Sequence, residues 1–425
     1  MMEVIVDLFK TAFQILIVWW WVSLPLFLYK PFLYLWREWR KDQFSKTIKW
    51  VLLEIKLPEE ILKPIKAMEA VMAGLWQLYD PPNWKEKWFE GKKLLYHSLE
   101  LVGKEGVLHF YIRIPSTARN LVESSIYGQY PEVQITEVED YTGDIPQNIP
   151  TKDWDLYGVD MMMIRDDPYP LKSYKEFETE REAKEIKRVD PIASLTESVA
   201  KLKKGEQIWI QFVIKPVTIE ENDWVEQGNK IVNKVMGKEP PSLEPFPQYA
   251  VRSTGRVVLL GEPLEEAEKE PERLEVGALK LSPGEVEIVK GIQNKISKYG
   301  FDSNIRILYL GKRDVFFKPN ISLAFAFFNE FNTINLNTVK LWGKTKTKIQ
   351  LFLIDRRTFL RKRKIFRNYV KRNTPLDPRE GGTYILSTEE LASMFHFPSR
   401  EVAPAPTVPR IPAKRGEAPP ELPTE

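Results

Sequence analysis

The 425-residue chain has no cysteine and only three histidines, His97, His109 and His396. That excludes disulfide frameworks, thiol catalysis and cysteine-based zinc or iron–sulfur sites, and any metal site would have to be mostly carboxylate. The 62 Lys and Arg against 59 Asp and Glu leave +3, too balanced to mark the whole chain as a nucleic-acid binder; only local charge could do that.

The first predicted element is a membrane anchor within residues 1–47. Thr11 to Tyr29 is a run of 19 residues without a charge, TAFQILIVWWWVSLPLFLY. At 1.5 Å per residue it nearly spans a hydrocarbon core of about 30 Å. Its ten Leu, Ile, Val and Phe residues supply roughly −3 to −6 kcal/mol toward insertion, opposed by Gln14, Ser23 and Pro25. A secretory signal would need a basic leader and a small-residue cleavage site. Glu3 and Asp7 stand against a single Lys10, and no such site follows, so an uncleaved anchor is expected. Tyr29, Tyr34, Trp36, Arg37, Trp39 and Arg40 fall where an interfacial belt would lie. The excess of Lys and Arg after the run places the N-terminus outside and the bulk of the chain in the cytoplasm.

Residues 48–146 alternate as β-α-β-β-α-β. Ile48 to Leu57 is a half-buried strand, Glu59 to Tyr79 a helix with one apolar stripe, and Leu94 to Val102 and Val107 to Ile114 a hairpin around Gly103 to Gly106. A second helix follows Pro115-Ser116-Thr117, and Val133 to Asp140 is a last strand. This order predicts a ferredoxin-like α+β domain. His97 and His109 fall on opposite faces of the hairpin and read as satisfied structural histidines.

A second α+β region, a candidate second ferredoxin-like unit, occupies residues 150–345. It contains a charged helix from Ser173 to Arg188, a strong strand from Gln207 to Val217 and a proline-rich acidic insertion at 238–275. Residues 346–397 hold a basic helix, then a strand and a helix capped by Ser387 or Thr388 with Glu390 near the third position. His396 has no partner in the sequence. Residues 398–425, with eight prolines among 28 residues, form an extended tail.

The strongest local charge is RRTFLRKRKIFRNYVKR, Arg356 to Arg372. Its nine cations, Arg356, Arg357, Arg361, Lys362, Arg363, Lys364, Arg367, Lys371 and Arg372, occur without an acid. They could contact DNA phosphates, anionic lipid or an acidic partner; a solvated charged face is the plain alternative. No phosphate loop, dinucleotide fingerprint, nucleophile elbow or zinc-protease motif occurs. Gly343-Lys344-Thr345 lacks the first glycine of a phosphate loop. Neither a catalytic frame nor a cofactor or metal site is expected.

The stretch EGVLHFYIRIPSTARNLVESSIYGQYPEVQITEVEDYT, Glu105 to Thr142, resembles the membrane-anchored N-terminal region that precedes conjugative, type IV secretion coupling-type ATPases of bacteria. ILSTEELASMFHFPSREV, Ile385 to Val402, with KRGEAPPELPTE, Lys414 to Glu425, is similar to the linker joining that region to the ATPase core. The family's phosphate loop and Mg²⁺-binding acid have no counterpart here, so no catalytic residue carries over. The resemblance implies a non-enzymatic inner-membrane accessory part, a homo-oligomer working with a separate ATPase.

Overall fold

The computed structural model describes residues 2–58, 63–177, 190–237, 281–350, 352–375, 382–398 and 410–411. Side chains at 2–13, 15–17, 19–23, 26, 410 and 411 fall outside the described set. So do most of the predicted charged helix at 173–188 and all of the predicted insertion at 238–275. The chain forms two compact units, one of residues 1–50, 79–95 and 115–117, the other of 51–78, 96–114 and 118–425.

In the first unit, helix α1 (Met2–Thr47) carries Pro25 and Pro31 in its interior. Phe27, Tyr29, Phe32, Tyr34, Leu35 and Trp39 are exposed along it. Its C-terminal part meets a short π-helical turn at Glu86–Glu90. There Trp36 Nε1 donates to the Trp88 carbonyl at 3.0 Å, and the Arg37 guanidinium lies 5.2 Å from the Trp88 ring centroid. Gly91, at φ +74°, lies against α1, and a Cβ there would come 2.2 Å from the Arg40 carbonyl oxygen, so only glycine fits. Among the described residues no helix is long and apolar enough to cross a membrane; most side chains of Thr11 to Tyr29 lie outside that set.

The second unit is built on one large sheet in a mixed α+β fold. Its strands are β1 (Trp50–Pro58), β2 (His97–Lys104), β3 (Val107–Pro115), β4 (Gln134–Val138), β5 (Trp154–Met163), β6 (Glu206–Val217), β7 (Gly300–Lys312), β8 (Val339–Leu341), β9 (Tyr384–Ser387) and β10 (Arg410–Ile411). The helices packed against it are α2 (Ile65–Trp76), α3 (Arg119–Tyr127), α4 (Pro191–Ala200), α5 (Trp224–Val235), α6 (Pro283–Ile296), α7 (Ile321–Asn329), α8 (Ile354–Val370) and α9 (Thr388–Met394).

The order across the sheet is β4-β1-β3-β2-β6-β7-β5-β8. Read outward from the central β2–β6 pair, both halves have the same order: second strand, third, first, fourth. Among the described residues each half also places a helix between its first and second strands (α2, α4) and another between its third and fourth (α3, α7). The halves join through antiparallel pairing of their equivalent second strands, with Glu100 opposite Gln211 and Leu101 opposite Ile210. The predicted segments 48–146 and 150–345 therefore share a single sheet.

Alternation along the strands sends one set of apolar residues to each face. Leu53, Leu101, Phe110, Ile210, Phe212 and Ile307 belong to the larger core, under α2, α3, α4 and α7. Val102, Trp209, Leu308 and Leu310 face the other way, under α8. At about 25 cal/mol per Å² of apolar surface removed from water, this two-sided burial is the main stabilising contribution.

The C-terminal segment, predicted to resemble a linker, is core instead. Every residue from 384 to 398 is buried. β9 pairs with the start of β7, and α9 packs with α2 and α4, one helix from each half. The Phe395 ring lies 5.8 Å from Phe110 of β3 and 6.5 Å from Phe212 of β6. The expected cap at Ser387 is present as a capping box: Ser387 N–H donates to Glu390 at 2.7 Å, and Glu390 N–H to Ser387 Oγ at 3.3 Å. In the proline tail, Arg410–Ile411 pairs parallel with Leu57 and Pro58 of β1, so at least this part of it joins the sheet.

Candidate functional site

The candidate site is the basic helix α8 and the surface it forms. Its sequence dictates its seating, because Ile365, Phe366 and Tyr369 recur at helical spacing and all are buried. Below them Trp209 of β6 lies 5.1 Å from Tyr369 and 6.4 Å from Phe366, and Tyr141 meets the Trp209 ring edge-on at 5.0 Å. Gly158 of β5 makes room for Ile365: a Cβ there would stand 3.1 Å from Ile365 Cγ2 and 2.4 Å from Leu308 Cδ2.

Beneath α8 a polar row crosses four adjacent strands in register. Glu100 pairs opposite Gln211, Gln211 opposite Arg306, and Arg306 opposite Asp160. All four side chains are essentially buried. Gln211 Nε2 donates to Glu100 at 2.9 Å, Arg306 Nη1 to Gln211 Oε1 at 3.3 Å, and Arg306 Nε to Asp160 at 2.7 Å. The row is closed from above. Arg372, just past the end of α8, donates from Nε and Nη2 to the two Glu100 oxygens at 2.9 and 3.2 Å and also pairs with Asp140. The hydroxyls of Tyr141 and Tyr369 complete it, Tyr141 donating to Glu100 at 2.6 Å.

Burial pushes the Glu100 carboxyl up, but the Arg372 guanidinium and the donated hydrogen bonds outweigh it, leaving the pKa below the usual range. Burial and the nearby Glu100 charge keep the Tyr141 and Tyr369 hydroxyls protonated, well above the usual tyrosine range. The row is thus a set of mutually hydrogen-bonded, oppositely charged groups that fixes where α8 sits. Sequence reading passed over it. The available signal was a single Gln in IWIQFVI and a single Arg in NIRILYL, polar residues in strands otherwise buried on both faces.

The nine predicted contact residues separate into two sets. Arg372 is buried in the row. Lys362 pairs with Asp155 at 2.5 Å, Arg361 donates to the Lys346 carbonyl at 2.9 Å, and Arg363 donates to Asn148 Oδ1 at 3.0 Å. Arg356, Lys364, Arg367 and Lys371 are exposed without an ion pair among the described residues, and Arg357 is exposed as well. A pocket of about 140 Å³ lies beside Arg363, Arg367 and Lys371, with Gln147 and Asn148 opposite. The surrounding charge is dense enough to work against itself. Burial, then Lys348 and Lys362, holds the Lys318 pKa below the usual range, and burial, then Arg357, lowers that of Arg361. This surface concentrates positive charge.

The predicted interfacial residues also divide. Tyr29, Tyr34 and Trp39 are exposed, whereas Trp36, Arg37 and Arg40 are partly buried, Trp36 and Arg37 engaging Trp88.

The histidines do less chemistry than their rarity suggests. His109 Nδ1 lies 2.8 Å from Glu54, but buried His97, expected to be satisfied, has no hydrogen-bond partner on either nitrogen among the described residues, and burial pushes it down to about 4. His396 does have a partner: its Nε2 is 2.7 Å from Asp190, the N-cap of α4.

A hollow of about 420 Å³ is lined by Asp166, Asp167, Glu221, Asp223 and Asp302 beside Arg165. Among the described residues no group of His, Asp and Glu is arranged to hold a metal ion.

No curated protein matches this sequence. A family profile described as Domain of unknown function (DUF8128) matches residues 38–407, most of the chain, and the protein belongs to that family.

Proposed function

We propose that the protein is a non-enzymatic, membrane-anchored accessory subunit of a type IV secretion or conjugative DNA-transfer-like apparatus in the bacterial inner membrane. Its two half-sheets, read as ferredoxin-like units from their shared strand order, provide a rigid docking platform for a homo-oligomer and a separate coupling-type ATPase. The observation that carries this reading is the surface of the fold: α8 presents a cluster of exposed Lys and Arg over a polar row whose groups are engaged in seating that helix. The uncharged run from Thr11 to Tyr29 supports the anchor, and the Glu105 to Thr142 resemblance supports the apparatus.

A tagged full-length chain should stay with carbonate-washed membranes and co-purify with a coupling-type ATPase after mild detergent extraction. Recovery in the soluble fraction, or purification free of any such ATPase, would overturn the reading.

A second reading is nucleic-acid binding through α8, favoured by the exposed Lys364, Arg367 and Lys371, which have no ion pair among the described residues. It requires the affinity for duplex DNA to fall with salt at about 0.9 log units per phosphate contacted for each decade of salt.

A further inference from the structure

The geometry points to the outer face of α8 as a docking surface for an anionic phospholipid bilayer. Because Ile365, Phe366 and Tyr369 fix the inner face, the opposite face is determined by helical spacing. It carries Leu353, Arg356, Arg357, Leu360, Lys364, Arg367 and Lys371. The C-terminal half of that face is purely cationic. The N-terminal end adds apolar groups: Phe352 is 85% exposed, Leu353 68%, Leu360 55% and Ile354 48%.

Phe352 and Leu353 also have φ of +48° and +46°. Two successive bulky residues in the left-handed region are costly, and here the strained turn presents both side chains to solvent.

The apolar end discriminates among anionic partners. Phosphates of DNA would satisfy the cations and leave Phe352, Leu353 and Leu360 in water, since phosphate contacts are made by polar and cationic groups. A bilayer interface takes both: headgroup phosphates meet the cations while apolar side chains enter the acyl boundary. The pocket beside Arg363, Arg367 and Lys371 can hold one headgroup phosphate. The inference shares with the proposed function the premise that the chain works at a membrane, and it names the lipid that a second part of the fold recognises.

The absence of cysteine allows a site-specific test. Full-length Leu360→Cys carries one environment-sensitive fluorophore, and Glu197→Cys, on a helix over the opposite face of the sheet, carries the control. In vesicles rich in phosphatidylglycerol the label at 360 should shift to the blue and become shielded from iodide; in pure phosphatidylcholine it should not, and the label at 197 should respond to neither. Adding Lys364→Glu, Arg367→Glu and Lys371→Glu should weaken the response at 360 by about tenfold or more in lipid concentration. These side chains have no ion-pair partner among the described residues, so an unchanged thermal melt confirms that the fold persists.

No response in anionic vesicles, an equal response in phosphatidylcholine, or a response to duplex DNA alone would each overturn the proposal. Carbonate extraction tests the anchor separately. If the anchor fails, the vesicles are added to the soluble protein and the label still reports on α8.

Discussion

Glu100 and Arg372 are 272 positions apart in sequence, yet both oxygens of the one accept from the guanidinium of the other, in a place closed to solvent. Glu100 stands on the strand where the two halves of the sheet meet, and Arg372 lies just past the end of the helix that covers that junction. The pair therefore ties the C-terminal segment to the seam between halves. Arg306 does the same from below, donating to the Asn373 carbonyl at 2.9 Å.

Arg372→Met should be among the most damaging substitutions in the chain. It leaves Glu100 buried and uncompensated, a defect that typically costs about 3–5 kcal/mol. Pairing it with Glu100→Gln should recover much of the loss, because a neutral amide needs no counter-charge. Urea denaturation of the single and double variants reads both effects. A single variant with an unchanged midpoint would mean that Arg372 contributes little to stability, and a double variant with no recovery would make Asp140, not Glu100, the important partner.

Acid stability should turn on Glu389. Burial alone would push its carboxyl up, but Lys175, Ser173, Lys298 and Asn294 surround it and pull the pKa down to about 2 from 4.5. A carboxyl depressed in the folded state stabilises the fold fully above its unfolded value. That contribution is lost as pH falls from about 4.5 through about 2. Glu389→Gln should be less stable than the natural chain at pH 7 and should flatten the pH dependence in that window. Parallel melting curves of the two proteins from pH 6 to pH 2 would show the sign to be wrong.

What could be read from the sequence depended on whether the signal was local. The strand and helix order of residues 48–146, the Ser387 cap and the separation of His97 from His109 follow from periodicity and turn residues, which each segment carries by itself. The edge-to-edge joining of the halves does not, because β2 and β6 look like any strand buried on both faces. Nor does the burial of α9, although the helix itself does. TEELASM is polar by composition, and it can be core only because Glu390 accepts from Leu171 N–H and Lys295 while Glu389 finds its four donors, all far away in sequence. The charge of α8 was plain, but which of its nine cations are free depends on Asp155, Asn148 and Glu100, whose positions only the fold supplies.

Phe395→Ala tests whether the C-terminal segment is structural. The ring is 1% exposed and contacts both halves of the sheet through Phe110 and Phe212. Truncating such a phenylalanine typically costs about 3–5 kcal/mol, through lost transfer energy and the cavity left behind. Phe359→Ala, on the exposed side of α8, should cost little. If Phe395→Ala melted with the natural chain, the segment would be a dispensable tail after all.

Gly158→Ala is the most specific probe of how α8 is seated. The substitution adds one methyl group on β5, which would stand 2.4 Å from Leu308 Cδ2 and 3.1 Å from Ile365 Cγ2. Leu308 is fully buried in the sheet, so it has little room to give, and the overlap must be relieved by lifting Ile365 and with it the middle of α8. Overpacking of this kind costs about 1–3 kcal/mol. Gly143→Ala, where a Cβ meets nothing within 4 Å, is the matched control. Amide hydrogen exchange should show faster exchange across α8 in the Gly158 variant, with the strands of the first half unchanged. Uniform protection across both would place the slack in Leu308 and leave the helix where it is.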